Sequence, residues 1–192
     1  MRLLLGSLFA FVIAAAIGLG MTWVALTEGT AYGGVTLGAW TAWPRTGTPG
    51  IDPYARAMVA RSGELPIGSG DGVAFFARAD DNGRLLDGRC NVVLAGTTPQ
   101  ARFWTITLYD PEGRLVANSV QRHGFTSQEL IRRSDGSFEI TAGPRARPGN
   151  WLPTGGVERY VLVLRLYDTP IGVATRIGRD APMPAISLRA CQ

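Results

Sequence analysis

Arg102-Phe103-Trp104-Thr105-Ile106-Thr107-Leu108-Tyr109 is the stretch of sequence that decides the fold class. Its side chains alternate between two sets, with Trp104, Ile106 and Leu108 in one and Phe103, Thr105, Thr107 and Tyr109 in the other. Because side chains of an extended strand point alternately to opposite faces, this pattern predicts a strand with one face in a core. Asp110-Pro111-Glu112-Gly113 follows the strand and has the proline and glycine of a tight turn.

Short strand-like runs recur on both sides of this stretch. Strands are predicted at Val73–Ala79, Cys90–Ala95, Arg102–Tyr109, Leu115–Ala117, Ser137–Thr141 and Arg159–Tyr167. The last of these is the most apolar, which predicts a central position in its sheet. The chain also has 25 glycines and 12 prolines among 192 residues, and these residues favour tight turns over long helices. Together the features predict a mainly β fold, a β-sandwich or jelly roll with a short helix.

Three polar segments carry local signals. Asp52 precedes Pro53, and an aspartate cap with proline at the first helical position predicts a short helix from Pro53 to Ser62. Thr126 and Glu129 have the spacing of a capping box, which predicts one helical turn. Asp80-Asp81-Asn82-Gly83 resembles part of a calcium loop, but it lacks the later glutamate and is the right length for a hairpin turn.

The beginning of the chain is apolar. No charged residue occurs between Leu3 and Leu26, and a helix of that length spans roughly 36 Å, compared with a bilayer core of about 30 Å. Trp23 lies near the far end, where an indole ring suits the headgroup layer. These features predict a transmembrane anchor. The alternative is a cleaved signal peptide, because Ala14-Ala15-Ala16 offers small residues to signal peptidase, although the apolar run continues beyond them.

The sequence therefore divides into three regions: a transmembrane signal-anchor helix at 1–27, a juxtamembrane connector with a short helix at 28–72, and a β-sandwich domain at 73–192. Arg2 precedes the anchor and Glu28 is the first charge after it, so the positive charge predicts a cytoplasmic N-terminus. The expected location is the inner membrane, with a single pass and a periplasmic C-terminal domain.

The two cysteines, Cys90 and Cys191, fit an exported domain. An even pair in an oxidising compartment predicts a disulfide. This bridge would close a loop of about 100 residues and contribute up to about 4.7 kcal/mol in the chain-entropy model. The alternative is two unrelated buried thiols. Two cysteines without supporting histidines do not predict a zinc site, and no metal or cofactor is expected.

The basic residues do not predict nucleic-acid binding. All 19 of them are arginine, the formal net charge is +4, and they are scattered from Arg2 to Arg189. Nucleic-acid binders concentrate their charge on one face or in one run. Contact with anionic lipid headgroups or acidic glycans fits a chain beside a membrane better.

Five short motifs occur in a recognisable order along the chain. They are Phe103-Trp104-Thr105-Ile106-Thr107-Leu108-Tyr109-Asp110, Asn118, Asp135-Gly136-Ser137, Asn150-Trp151-Leu152-Pro153 and Leu164-Arg165-Leu166-Tyr167. Through them the chain resembles, over roughly Val73 to Pro170, the bacterial family catalogued as domain of unknown function 1214. The resemblance implies a β-sandwich-like domain and no agreed activity. It also implies a separately encoded, membrane-attached partner, because larger relatives fuse this domain behind another uncharacterised domain, numbered 1254.

Five residues are candidate ligand contacts: Tyr109, Asn118, Asn150, Trp151 and Arg165. Arg165 lies in an apolar strand, where an unpaired guanidinium is costly. It either binds a ligand carboxylate or phosphate, or pairs with Asp110 or Glu158, or stacks on a tryptophan. The loop that contains Asn150 and Trp151 either lines a sugar-binding groove or closes the end of the sandwich.

No catalytic set is recognisable in the sequence. His123 is the only histidine, and no nucleophile elbow occurs. The leading hypothesis is a non-enzymatic envelope protein whose β-domain binds a partner protein or an envelope ligand. The alternative is a small periplasmic enzyme that acts on a glycan or another envelope substrate. That enzyme would need the five candidate residues to converge in one concave pocket.

Overall fold

The computed structural model describes residues 2–27, 34–62, 66–68, 70–171 and 181–191. The described part has two helices, α1 (Arg2–Thr27) and α2 (Pro53–Ser62). Its strands are β1 (Val35–Leu37), β2 (Trp40–Ala42), β3 (Gly72–Ala77), β4 (Cys90–Gly96), β5 (Phe103–Tyr109), β6 (Gly124–Thr126), β7 (Phe138–Gly143), β8 (Asn150–Pro153), β9 (Val161–Tyr167) and β10 (Ala185–Cys191). The predicted mainly β fold with a short helix is confirmed, and α2 has the predicted bounds.

The strands form two sheets that enclose one core. The six-stranded sheet has the order β1-β2-β3-β9-β5-β6, and the four-stranded sheet has the order β10-β4-β7-β8. Trp104 of β5 and Phe138 of β7 meet across the core, with ring centroids 5.1 Å apart. Trp104, Ile106 and Leu108 are buried while the alternate residues of β5 are not, as the alternation predicts. The apolar strand β9 occupies the predicted central position between β3 and β5.

Helix α1 stands apart from this core. Residues Arg2–Leu26 form a helix with a mean hydropathy of 2.4, and none of it is buried inside the molecule. By length and composition it can cross a membrane, and a signal sequence has the same properties. An apolar helix without protein cover needs an apolar environment, because its exposed leucines and phenylalanines are costly in water.

A hairpin of β1 and β2 joins the β-domain from within the expected connector region. It extends the six-stranded sheet, since β2 pairs with β3 through Thr41 and Phe76. Trp40 is fully buried, and its indole N–H donates a hydrogen bond to the carbonyl oxygen of Pro184 at 2.8 Å. The chain that leaves α1 is therefore packed into the sandwich from its first strand.

Two predicted elements are wrong. Leu115–Ala117 is not a strand, since only Leu115 makes a bridge, to Tyr109, before the chain turns away. Thr126 and Glu129 do form the capping contact, in which the Thr126 N–H donates to Glu129 Oε2 at 3.1 Å. One hydrogen-bonded turn follows it, since the Glu129 N–H donates to the Thr126 carbonyl oxygen at 3.2 Å, and Gly124–Thr126 also pair with β5 as strand β6. Residues 150–153 are likewise a strand, β8, and not a loop.

The turn at residues 80–84 covers the outer edge of β10. Ile186 accepts a hydrogen bond from the Asp81 N–H at 3.0 Å and donates one to Asp81 Oδ2 at 2.7 Å. Leu188 donates to Asp80 Oδ2 at 3.3 Å and accepts from Arg84 Nη2 at 3.1 Å. Carboxylates and a guanidinium thus take the place of a neighbouring strand at Ile186 and Leu188, and they block that part of the edge from pairing with another chain.

The same turn reaches the N-terminal hairpin. Asp81 Oδ1 accepts a hydrogen bond from the Ala39 N–H at 3.1 Å. Asp80 also accepts hydrogen bonds from the N–H groups of Asn82 and Arg84, and its side chain forms a 2.7 Å ion pair with Arg84. The predicted hairpin turn is confirmed, and it joins the segment after β3 to β10 and to the N-terminal hairpin.

The predicted disulfide between Cys90 and Cys191 is confirmed. It links the start of β4 to the end of β10, which are already hydrogen-bonded neighbours in the four-stranded sheet. The bridge spans 101 residues of sequence and encloses seven of the strands. The C-terminal strand is therefore attached to the sheet covalently as well as by hydrogen bonds.

Tyr160 places a hydroxyl group in the core, and its contribution to stability can be tested. It is only 2% exposed, and its hydroxyl has no hydrogen-bond partner within the described residues. Burial, together with the nearby Asp87 charge, raises the pKa of this hydroxyl above its usual range. We expect Tyr160→Phe to leave the free energy of unfolding unchanged or to raise it by up to about 1 kcal/mol, because it removes an unsatisfied buried polar atom. Urea denaturation measures this difference.

Tyr109→Phe is the matched control for that substitution. Its hydroxyl accepts a hydrogen bond from Arg165 at 3.1 Å, so its removal should cost about 1 kcal/mol. An equal loss of stability in the two variants would show that the Tyr160 hydroxyl has a hydrogen-bond partner in solution.

Candidate functional site

Arg165 and Tyr109 lie together on the outer face of the six-stranded sheet. Strand alternation turns Leu164 and Leu166 into the core, and Arg165 therefore projects away from it. Arg165 pairs with Thr105 of the neighbouring strand, and Tyr109 lies four residues further along that strand. The structure thus brings together two of the five predicted site residues.

The guanidinium of Arg165 is held by Tyr109 in two ways. Its Nη1 donates a hydrogen bond to the Tyr109 hydroxyl at 3.1 Å, and its Cζ lies 5.3 Å from the ring centroid. To reach Tyr109, the side chain runs along the sheet over Val163 and Thr107, which pair with each other. Val163 is only 2% exposed although it is on the outer face, and on its other side it pairs with Phe76 of β3.

Aromatic and hydroxyl side chains share this outer face with Arg165. Phe103 and Tyr167 pair across β5 and β9, with ring centroids 5.8 Å apart. Thr105 and Thr107 lie between this pair and Tyr109. We call this set the Arg165 face, and its members are Phe103, Thr105, Thr107, Tyr109, Arg165 and Tyr167. All six are partly exposed, so together they form an accessible surface.

The Arg165 face has no carboxylate for its guanidinium within the described residues. The nearest acidic residues in sequence have other partners, because Asp110 pairs with Arg114 at 2.8 Å and Asp168 lies 3.7 Å from Arg102. Hydrogen bonds from the Arg114 backbone and guanidinium lower the pKa of Asp110, which keeps it charged and paired. Arg165 has several N–H donors and one hydrogen-bonded hydroxyl, so it retains capacity for a carboxylate or phosphate.

Asn118 and Trp151 are linked to each other by Arg122. The Arg122 N–H donates to Asn118 Oδ1 at 3.0 Å, and its Nη1 donates to the Trp151 carbonyl oxygen at 3.1 Å. The Trp151 indole N–H donates to the Gly143 carbonyl oxygen at 3.0 Å. These contacts fasten the 118–122 loop to β8, the edge strand of the four-stranded sheet.

Asn150 is buried, and its amide is fully engaged. Its Oδ1 accepts from the Ile131 N–H at 2.8 Å, and its Nδ2 donates to the carbonyl oxygens of Ile131 and Glu139 at 2.9 and 2.8 Å. This arrangement fixes the segment before β7 to the start of β8. Within the described residues, no hydrogen bond or ring contact joins Asn118, Asn150 or Trp151 to the Arg165–Tyr109 pair.

The His123 ring is hydrogen-bonded to the backbone of the fold. Its Nδ1 lies 3.0 Å from the Val116 carbonyl oxygen, which places the ring proton on that nitrogen. Across the described residues, no group of three or more His, Cys, Asp or Glu side chains is arranged to hold a metal ion.

A cavity of about 240 Å³ lies between the N-terminal hairpin and the start of β10. Leu37, Trp40 and Met183 line it, and Asp81 is its only acidic residue within the described part of the chain. Both Asp81 oxygens already accept backbone hydrogen bonds, from Ala39 and Ile186. The cavity therefore offers apolar contact and lacks a charged group that is free for a ligand.

Two parts of these sites are absent from the sequence prediction. Phe103 and Tyr167 were identifiable as outward-facing from alternation, but their pairing beside Arg165 depends on the β5–β9 register. Arg122 joins a loop to a strand 29 residues away, which no local pattern signals.

One solved structure agrees with the fold. The chain is similar to the crystal structure of the VPA0106 protein from Vibrio parahaemolyticus, with a TM-score of 0.56 and 22% identity over 72% of this chain and 36% of that one. An uncharacterised protein from Burkholderia cenocepacia matches with a TM-score of 0.44 and 19% identity, over 77% of this chain and 46% of that one. The chain therefore spans less than half the length of either protein. No curated protein gives a significant match.

The family comparison covers the two strands that carry the Arg165 face. The model of the family "Protein of unknown function (DUF1214)" matches residues 71–171, which run from just before β3 to just after β9. Because this match includes more than half of the 192 residues, the chain belongs to the DUF1214 family.

Proposed function

We propose that the chain is a membrane-anchored envelope protein whose exported β-domain binds an acidic group of a partner protein or envelope ligand on the Arg165 face. The anchor would be α1, and the β-domain would lie on the periplasmic side of the inner membrane. The length and exposure of α1 support the anchor. The Cys90–Cys191 disulfide supports an oxidising compartment.

The observation that carries the proposal is the way Arg165 is held. A partly buried guanidinium on a face that otherwise carries aromatic and hydroxyl side chains is costly without an anion. The Tyr109 hydroxyl and ring orient it but supply no negative charge. A preorganised guanidinium beside aromatic rings suits recognition of a carboxylate or phosphate, because the fork of N–H donors is already fixed.

The partner that we favour is a membrane-attached protein that carries the companion domain of larger relatives. The resemblance to such relatives suggests this partner. The Vibrio structure gives limited support, because its chain has further segments beside the matching fold, which takes up 36% of it. A partner in the same membrane would present an acidic side chain to the Arg165 face.

The glycan-enzyme alternative has less support from the geometry. It needs Tyr109, Asn118, Asn150, Trp151 and Arg165 to converge in one cleft. Asn150 is buried and both of its amide N–H donors are used within the fold, and Asn118 and Trp151 are fastened to each other through Arg122. We therefore favour binding.

Co-purification after mild detergent extraction tests the proposal. We expect Arg165→Gln to lower recovery of the bound partner or ligand by about tenfold or more, because it removes a charge-assisted hydrogen bond. Arg165→Lys should recover little more partner or ligand than Arg165→Gln does, since an ammonium lacks the planar fork of N–H donors. The recovered species is identified by mass spectrometry.

Arg133→Gln is the matched control for this experiment. Arg133 is exposed and pairs with Glu139, an exposed residue of β7 in the four-stranded sheet, so its loss should leave recovery unchanged. Recovery of a bare monomer from the unaltered chain, or equal recovery from both variants, would contradict the proposal.

A further inference from the structure

Helix α2 has one face against the molecule and one face outward. Asp52 Oδ1 accepts hydrogen bonds from the N–H groups of Tyr54 and Ala55, both at 3.0 Å, and this cap starts the helix. Ala55 is buried, and Val59 on the same side is partly buried. The outward face presents Ala57 and Ala60 with Arg56 and Arg61 on either side, and all four are exposed.

The end of α2 contacts the end of α1. The guanidinium carbon of Arg61 lies 5.0 Å from the centroid of the Trp23 ring. Trp23 is one turn from the C-terminal end of α1, and tryptophan at the end of a membrane helix lies at the level of the headgroups. When α1 crosses a bilayer, this contact brings the guanidinium of Arg61 to the headgroup layer.

Helix α2 itself is positively charged, although residues 28–64 as a whole carry three arginines and three acidic residues. The charged residues of α2 are Arg56 and Arg61. Asp52, just before the helix, is engaged as its cap, and neither arginine forms an ion pair within the described residues. The Arg56 guanidinium donates to the Pro49 carbonyl oxygen at 3.3 Å. Two cations on a helix beside a bilayer surface are electrostatically complementary to anionic headgroups.

We propose that Arg56 and Arg61 bind the headgroups of anionic phospholipids and hold α2 flat against the membrane surface. The inference rests on the anchoring of α1 in the proposed function. Arg61 makes the first contact beside Trp23, and Arg56 extends it along the helix. The exposed alanines between them let the helix approach the headgroups closely. The β-domain then has a fixed orientation over the bilayer.

The test uses the full chain, reconstituted into vesicles of phosphatidylcholine alone or of equal parts phosphatidylcholine and phosphatidylglycerol. Hydrogen exchange of the α2 amides is followed by mass spectrometry, with the β9 amides as an internal reference for folding. We expect exchange in α2 to be about tenfold slower in the anionic vesicles. The combined variant Arg56→Gln and Arg61→Gln should abolish this difference, and high salt should weaken it.

The control is the combined variant Arg145→Gln and Arg147→Gln, which removes two exposed arginines from the 144–149 loop. It should keep the slow exchange. Equal exchange of α2 in both vesicles, with the chain still resistant to alkaline carbonate extraction, would overturn the lipid contact and leave the anchor intact. Release of the chain by carbonate would instead overturn the anchor, and both proposals would fail.

Discussion

Reduction of the Cys90–Cys191 disulfide should lower the free energy of unfolding of the β-domain by about 4 kcal/mol. The bridge spans 101 residues, and in the chain-entropy model a loop of that size restricts the unfolded chain by up to about 4.7 kcal/mol. Because the bridged strands are already neighbours, the reduced protein should keep its fold with a lower urea midpoint. Tryptophan fluorescence of the detergent-solubilised chain, with and without dithiothreitol, measures the difference.

Cys191→Ser provides the control for this measurement. Cys191 is exposed whereas Cys90 is buried, so replacement of Cys191 removes the bridge with little loss of packing. The variant should match the reduced protein and should not respond to dithiothreitol. A change of less than about 1 kcal/mol on reduction would contradict the expected role of the bridge.

Asp80→Asn should cost about 3 kcal/mol of stability. Asp80 is 2% exposed and accepts hydrogen bonds from the backbone of Asn82, Arg84 and Leu188 as well as from the Arg84 guanidinium. An amide carries no negative charge and turns two N–H donors toward this donor-rich site, which leaves buried groups unsatisfied. Chemical denaturation of the variant and the unaltered chain measures the loss.

Asp110→Asn is a closely matched control. The turn at 110–114 repeats the geometry of the 80–84 turn, with Asp110 bound to the Arg114 N–H at 2.8 Å and to its guanidinium at 2.8 Å. It makes no contact with an edge strand within the described residues. The loss there should be clearly smaller than at Asp80, because the Arg114 guanidinium is largely exposed. Equal losses in the two variants would show that the β10 contacts add nothing.

The Asp80 carboxylate should also make the free energy of unfolding depend on pH in acid. Burial raises the pKa of Asp80, but the hydrogen bonds from Arg84, Leu188 and Asn82 outweigh it and lower the pKa from 3.8 to about 2. A depressed folded-state pKa gives stability that is complete above about pH 4 and is lost as the pH falls through about 2. We expect the unaltered chain to lose about 2 kcal/mol over that range beyond what Asp80→Asn loses.

Local patterns were sufficient to predict the long strands and α2. The alternation of Trp104, Ile106 and Leu108 and the apolar run in β9 have a direct physical cause, since each strand buries one or both faces. The three- and four-residue strands have no such signal. Gly124–Thr126 is a strand because β5 offers an edge, although its own sequence also fits a helix cap. Tertiary pairing decided the outcome there.

The candidate site was predictable only in part. The cost of an unpaired guanidinium on a strand identified Arg165, and the same reasoning named partners that it does not have, since Asp110 pairs with Arg114. The contact with Tyr109 depends on the β5–β9 register and on a side chain that runs along the sheet. Asn150 and Trp151 are prominent in sequence, but the first fixes a segment to β8. The sequence alone did not reveal this structural role of Asn150.

The short path from α1 to β1 limits where the β-domain can be. Thr27 and Val35 are eight residues apart, and an extended chain covers at most about 3.6 Å per residue. With α1 in a bilayer, the first strand therefore stays within about 29 Å of the end of its tether. The proposed partner, if tethered in the same membrane, would share this layer and meet the domain at a high effective concentration. An affinity that is negligible between two freely diffusing proteins would then be enough for a lasting complex, and cutting the tether should release the partner.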